Sequence, residues 1–153
     1  MTTPKWHENR RSVGMLALAA VACLAFATLS GQWLVNDGLD MTFGLRDNAM
    51  CDAAGICVST SNGDFVEQIK LIGPELASST FPIMGWITTV TCLLAALGLA
   101  LGAALALANK QPNLPLSPST IAIVAIMAGL VTGCVFVATK PGHALGVGIG
   151  FTI

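Results

Sequence analysis

The stretch FPIMGWITTVTCLLAALGLALGAALALA, from Phe81 to Ala108, contains no Asp, Glu, Lys, Arg or His. A helix rises about 1.5 Å per residue and needs roughly 20 apolar residues to cross about 30 Å of hydrocarbon, so this run is long enough to span a bilayer. Two further runs share the property, Val13 to Val35 and Thr120 to Thr139. Three such helices buried in a water-soluble core would leave almost no polar sequence to coat them. Composition agrees: the 153 residues are 54 % hydrophobic and 10 % charged, against about 25 % charge in a soluble domain. A chain this apolar is not disordered. A net charge of −1 is too little basicity for a protein that binds nucleic acid by neutralising phosphates. The sequence therefore predicts an all-α membrane protein with full transmembrane helices over 13–35, 81–108 and 120–139, and the lipid bilayer as its main contact.

The flanks of these runs set an orientation. Lys5, Arg10 and Arg11 lie in the segment 1–12, and Lys110 lies in the connection 109–119. Basic residues collect on the cytoplasmic side, which places both segments in the cytoplasm and 36–80 and 140–153 outside. Trp33 and Trp86 then become interface anchors at the outer headgroup level, with Trp6 on the inner side. Ala25-Phe26-Ala27 resembles a signal-peptide cleavage site, but the apolar run continues well past an ordinary signal core of about 7–15 residues, so a retained helix is expected. His143 to Ile153 is apolar yet reaches only about half of the hydrocarbon as a helix. It reads as a partial fourth apolar segment, either a re-entrant tail or the start of a further span. Alanine and glycine richness fits a bacterial inner membrane.

The outer loop, 36–80, holds Asp37, Asp40, Asp47, Asp52, Asp64, Glu67 and Glu75, against only Arg46 and Lys70. Leu39, Met41, Phe43 and Leu45 alternate with polar or small residues, the pattern of a half-buried strand. Ile56 to Thr60 reads as a second strand, and the turn-rich residues between them read as the connection of a hairpin. Cys51 and Cys57 bracket that connection. In an oxidising compartment they are expected to form a local disulfide, with free thiols as the alternative. Two thiols with no third and fourth ligand nearby do not make a zinc site. Asp64 to Ile72 reads as a short helix capped by Asp64, with Glu67 three residues on and Phe65, Ile69 and Ile72 on one face.

The spans carry little chemistry. None contains an ionisable side chain, and such groups mark proton relays, ion paths and voltage sensors. His7 and His143 lie outside the spans and the chain has no Tyr, which leaves poor haem ligation. No nucleophile elbow or phosphate-cradling motif is present, and Gly146-x-Gly148-x-Gly150 lacks the strand, lysine and acid that would make it a nucleotide site. Cys23, Cys92 and Cys134 read as small hydrophobes. No catalytic residue, cofactor, metal or small-molecule substrate is assigned, and an enzyme is not expected. The spans do carry glycines at helix-packing intervals, Gly98 and Gly102 in the second and Gly129 and Gly133 in the third, and Gly142, Gly146 and Gly150 continue the spacing in the tail. In lipid, helices associate through close backbone approach, which glycine permits.

The order of parts, with Trp33, Gly44-Leu45, Cys51 and Cys57 in sequence, resembles the claudin-like four-span superfamily, whose first outer loop carries Trp, then Gly-Leu-Trp, then two cysteines, followed by an extracellular helix. Arg46 stands where that family has its second Trp, the cysteines are closer together, and the fourth span is incomplete. The resemblance implies a non-enzymatic scaffold or adhesion protein with a disulfide-tied outer sheet. The leading expectation is a structural or accessory subunit that packs against other integral membrane proteins, as a homo- or hetero-oligomer. A claudin-like assembly or adhesion protein acting through the outer loop is the alternative. A channel or enzyme subunit whose active groups come from another chain is a second one.

Overall fold

The computed structural model describes residues 6–36, 38–108, 117–141, 146–148 and 150, with residues 6–10 described as backbone only. The expectations that rest on Lys5, Asp37, Lys110, Gly142, His143 and the tail from Phe151 to Ile153 lie outside the described residues, as do those on the side chains of Trp6, His7 and Arg10. The elements in chain order are α1 (Trp6–Leu29), β1 (Leu34–Asn36), β2 (Met41–Phe43), β3 (Asp47–Cys51), β4 (Cys57–Ser61), α2 (Asn62–Ile72), α3 (Thr80–Leu107), α4 (Pro118–Ala138) and β5 (Gly146–Val147).

Three helices are long and apolar enough to cross a membrane: α1 from Arg11 onward, α3 and α4. The middle one, α3, packs against both others. Their outward faces expose Leu16, Leu93, Leu97, Met127 and Leu130. An apolar surface of this extent is unusual for a monomer in water and suits a lipid solvent.

The first span is shorter than its apolar run. Helix α1 stops at Leu29, not at Val35, because Gly31 follows and the chain turns into a sheet. The Trp33 amide donates to the Phe43 carbonyl at 2.7 Å, and Leu34, fully buried, pairs with Phe43 in β1. Leu34 is apolar because it faces a protein core rather than lipid, and Val35 is a half-buried residue of the same strand.

The outer loop also corrects the hairpin. Five antiparallel strands form one sheet in the order β4-β3-β2-β1-β5. The expected first strand contracts to Met41–Phe43, and the expected connection contains β3, Asp47–Cys51. The expected second strand shifts to Cys57–Ser61. Asp-Asn usually signals a turn, but here buried Asn48 bonds across the ladder: the Thr60 hydroxyl donates to its Oδ1 at 3.0 Å, and its Nδ2 reaches the Ser61 carbonyl at 3.4 Å. The turn proper is Asp52–Ile56, where Asp52 Oδ1 accepts from the amides of Ala54 (2.9 Å) and Ile56 (2.8 Å) and Gly55 takes φ 78°, a conformation that favours glycine. Cys51 and Cys57 are cross-strand partners and form the expected disulfide. Closing so short a loop contributes about 2 kcal/mol by chain entropy. The double substitution Cys51→Ser/Cys57→Ser is expected to lower the stability of the outer unit by that amount, read as faster amide exchange at Met50 and Val58 while α3 keeps its protection.

Helix α2 starts earlier than Asp64. Ser61 is the cap: its hydroxyl accepts from the Asp64 amide at 3.1 Å and donates to Asp64 Oδ2 at 2.7 Å, so Asp64 occupies the reciprocal position of a capping box. Phe65 and Ile69 pack on the core, whereas Ile72, expected on the same face, is 83 % exposed. The last strand, β5, lies in the stretch read as a partial fourth apolar segment. Gly146 and Val147 pair with β1, and the amides of Gly148 and Gly150 donate to the carbonyls of Trp33 (2.8 Å) and Gln32 (3.0 Å).

Candidate functional site

The sheet and α2, called the outer unit for their place beyond the ends of the long helices and not for a side of a membrane, are joined to those helices by a chain of aromatic rings. Trp33 meets Phe136 edge-on (centroids 6.0 Å apart), Phe136 stacks on Phe81 (4.4 Å), Phe81 meets Phe43 (5.9 Å), and Phe43 meets Phe65 (5.1 Å). These rings come in turn from the α1–β1 connection, α4, α3, β2 and α2, so one row ties every layer together. Phe43, Phe81 and Phe136 are fully buried. Rings of this size contribute both large buried area and about 0.5–1.5 kcal/mol per favourable pair.

Trp33, expected as an outer-interface anchor, is instead 6 % exposed. Its indole N–H donates to the Ala27 carbonyl at 2.6 Å, which satisfies one of the orphan carbonyls at the end of α1. Trp86 is 55 % exposed, with the Arg46 guanidinium 5.7 Å from its ring centre, within cation–π range.

Backbone contact adds to the aromatic joint. Gly85 of α3 lies against Leu45, so closely that a Cβ there would overlap the Leu45 carbonyl oxygen and stand 3.2 Å from the Phe136 ring. Buried Asn62 holds the same turn from the other side: its Nδ2 donates to the Gly44 carbonyl at 3.0 Å and its amide to the Arg46 carbonyl at 2.8 Å. The signal for Gly85 in the sequence is one glycine outside any Gly-x-x-x-Gly pair.

The glycines expected to pack helices occupy several settings, and Gly146 belongs to strand β5 instead of a helix. A Cβ on Gly98 would stand 3.1 Å from the Ala122 amide nitrogen and 3.2 Å from the Pro118 carbonyl oxygen, whereas on Gly102 it would meet only Pro118 Cβ at 4.0 Å. Gly129 faces Thr91 and Cys92, and Gly133 faces the Trp33 ring and Thr88. Gly146 lies beside Val35, and Gly150 lies against Trp33 and Ser30. Between α3 and α4 the hydroxyls of Thr88 and Thr132 are 3.0 Å apart, a polar tie that the hydropathy of the spans conceals.

A groove of about 450 Å³ opens beside the helices, with Leu24 and Ala27 on α1, Cys92 on α3, and Ala125, Gly129 and Gly133 on α4 among its lining residues. The free thiols Cys23 and Cys134 are exposed and Cys92 is buried. Among the described residues no three His, Cys, Asp or Glu side chains gather as a group that could hold a metal ion. No protein-family model, curated protein or solved structure matches this chain.

Proposed function

We propose that this chain is an integral membrane protein acting as a structural or accessory subunit, and that it engages other integral membrane proteins through its helices and its outer unit. The observation that carries the reading is the apolar groove running between α1 and α4. Helices in lipid associate by close packing against small residues, and Ala27, Ala125, Gly129 and Gly133 make such a floor for a partner helix. The N-terminus is cytoplasmic in this reading, the outer unit lies across a bacterial inner membrane, and the chain itself catalyses nothing.

The test places bulk in the groove. Ile126 and Leu130 line it and are 39 % and 61 % exposed, so Ile126→Trp and Leu130→Trp leave the fold itself intact. Native electrophoresis from mild detergent is expected to show the wild type in an assembly and these variants released to the monomer. A wild type that migrates only as a monomer would overturn the proposal.

A second reading, assembly or adhesion through the outer loop as in claudin-like proteins, is favoured by one observation: the loop is a disulfide-tied sheet, which that resemblance implies. It separates from the first by locus. Substitutions on the exposed outer strand β4, such as Val58→Asp, would then abolish assembly while Ile126→Trp would not.

A further inference from the structure

The 36–80 loop is acidic, and its two cations, Arg46 and Lys70, both lie toward the helices rather than at the distal turns. Strands β1 and β3 lead away from the helices and β2 and β4 return, so Asp40 and Asp52 lie at the distal turns, whereas Arg46 and Lys70 lie at the base. Arg46 sits over the Trp86 ring of α3. Lys70, in the last turn of α2, donates to the hydroxyl of Ser79, the residue immediately before α3. Asp47, Asp64 and Glu75 also lie near this end, but among the described residues neither cation forms a salt bridge with a carboxylate; their contacts are the indole and the serine.

The length of α3 fixes where this end falls. Its 28 residues extend about 42 Å, which matches the roughly 40–45 Å thickness of a bilayer with its headgroups. Thr80 then stands at the headgroup surface, and Trp86, six residues further in, about 9 Å deeper, near the edge of the hydrocarbon. Arg46 and Lys70 therefore bracket the depth at which lipid phosphates lie. Close after Lys70 in the chain, Leu71 and Ile72 are 89 % and 83 % exposed and Leu76 is 51 % exposed. Bare apolar side chains following one cation, with a second cation and an indole at the same end of the fold, fit an interface in which one side is acyl chain and the other is phosphate.

We infer that the base of the outer unit is a phospholipid site, in which Lys70, at the headgroup surface, and Arg46, deeper beside Trp86, flank the phosphates of anionic phospholipids in the adjacent leaflet while Leu71, Ile72 and Leu76 sink beside their glycerol and upper acyl region. The site rests on the membrane reading proposed above. It gives the outer unit a fixed height over the bilayer in addition to its aromatic joint with the helices. Each cation near an anionic surface favours binding by up to about fivefold.

The test is electron spin resonance of the full chain reconstituted in phosphatidylcholine bilayers with trace spin-labelled phosphatidylglycerol or phosphatidylcholine. The basic residues at the other end of α1 also recruit anionic lipid, so the diagnostic quantity is the change on substitution. Arg46→Gln/Lys70→Gln is expected to lower the phosphatidylglycerol preference by about threefold or more, each single substitution to account for part of that, and Arg46→Lys to keep it. A preference unchanged in the double variant, or absent from the wild type, overturns the lipid site and hands the exposed patch to a protein partner. Absence of any motionally restricted lipid, with either label, overturns the membrane reading itself and the site with it.

Discussion

Replacing Gly85 by alanine is expected to separate the outer unit from the helices. The added methyl would occupy the position of the Leu45 carbonyl oxygen, and that oxygen belongs to backbone held in place by its neighbours. Leu45 is 1 % exposed, Gly44 N–H donates to the Asp47 carbonyl at 2.8 Å, and the Gly44 carbonyl accepts from buried Asn62. The turn cannot retreat without breaking these bonds, and α3 cannot retreat without opening the Phe81–Phe136 stack. Overpacking of this kind costs about 3 kcal/mol, with the bonds around Asn62 lost in addition. The measurement is thermal unfolding in detergent micelles, together with limited proteolysis of the outer loop. Gly85→Ala should lower the midpoint sharply and make the 44–47 turn cleavable. Gly102→Ala, which adds the same methyl where only Pro118 Cβ stands at 4.0 Å, is the control and should be close to neutral.

Removing the ring of Phe136 is expected to have a comparable effect by the opposite route. Phe136 is fully buried and touches both Trp33 and Phe81, so Phe136→Ala opens a cavity that cuts Trp33 off from the rest of the aromatic row. Buried Phe→Ala substitutions cost about 3–5 kcal/mol, partly from lost transfer and partly from the void. In the membrane reading proposed above the void weighs more heavily, because apolar helices surrounded by lipid are held by packing rather than by exclusion from water. Near-ultraviolet circular dichroism should lose the signal of ordered Trp33, and the unfolding midpoint should fall. Phe136→Leu, which refills most of the space, should recover over half of the loss. Stability unchanged in Phe136→Ala would mean that the outer unit is held by something other than this row.

The three spans were legible because lipid imposes a crude rule: charge is expensive along the whole length of a helix, and a run free of it is visible at a glance. The same rule hides where a span ends. Leu34 and Val35 continue the apolar run of α1, yet they are a strand, since hydropathy does not distinguish a residue facing lipid from one facing a protein core. The disulfide was legible from compartment and spacing. Strand β3 was not, because Asp47 and Asn48 carry the local chemistry of a turn, and only the partners Thr60 and Ser61, across the sheet, turn Asn48 into a buried ladder residue. Strand β5 is two residues long, too short for any periodicity. Trp33 carries the usual mark of an interface anchor but spends its N–H on the end of α1. Gly85, the residue on which the joint depends most, resembles every other glycine in an apolar helix; only the turn that lies against it sets it apart.

The central claim is that lipid solvates most of this polypeptide. Alkaline carbonate extraction of membranes from cells expressing the full chain, followed by flotation, tests it directly. The chain is expected to remain with the floating membrane fraction and to enter solution only with detergent. Recovery of the chain as a single, monodisperse species in carbonate or plain buffer without detergent would contradict it.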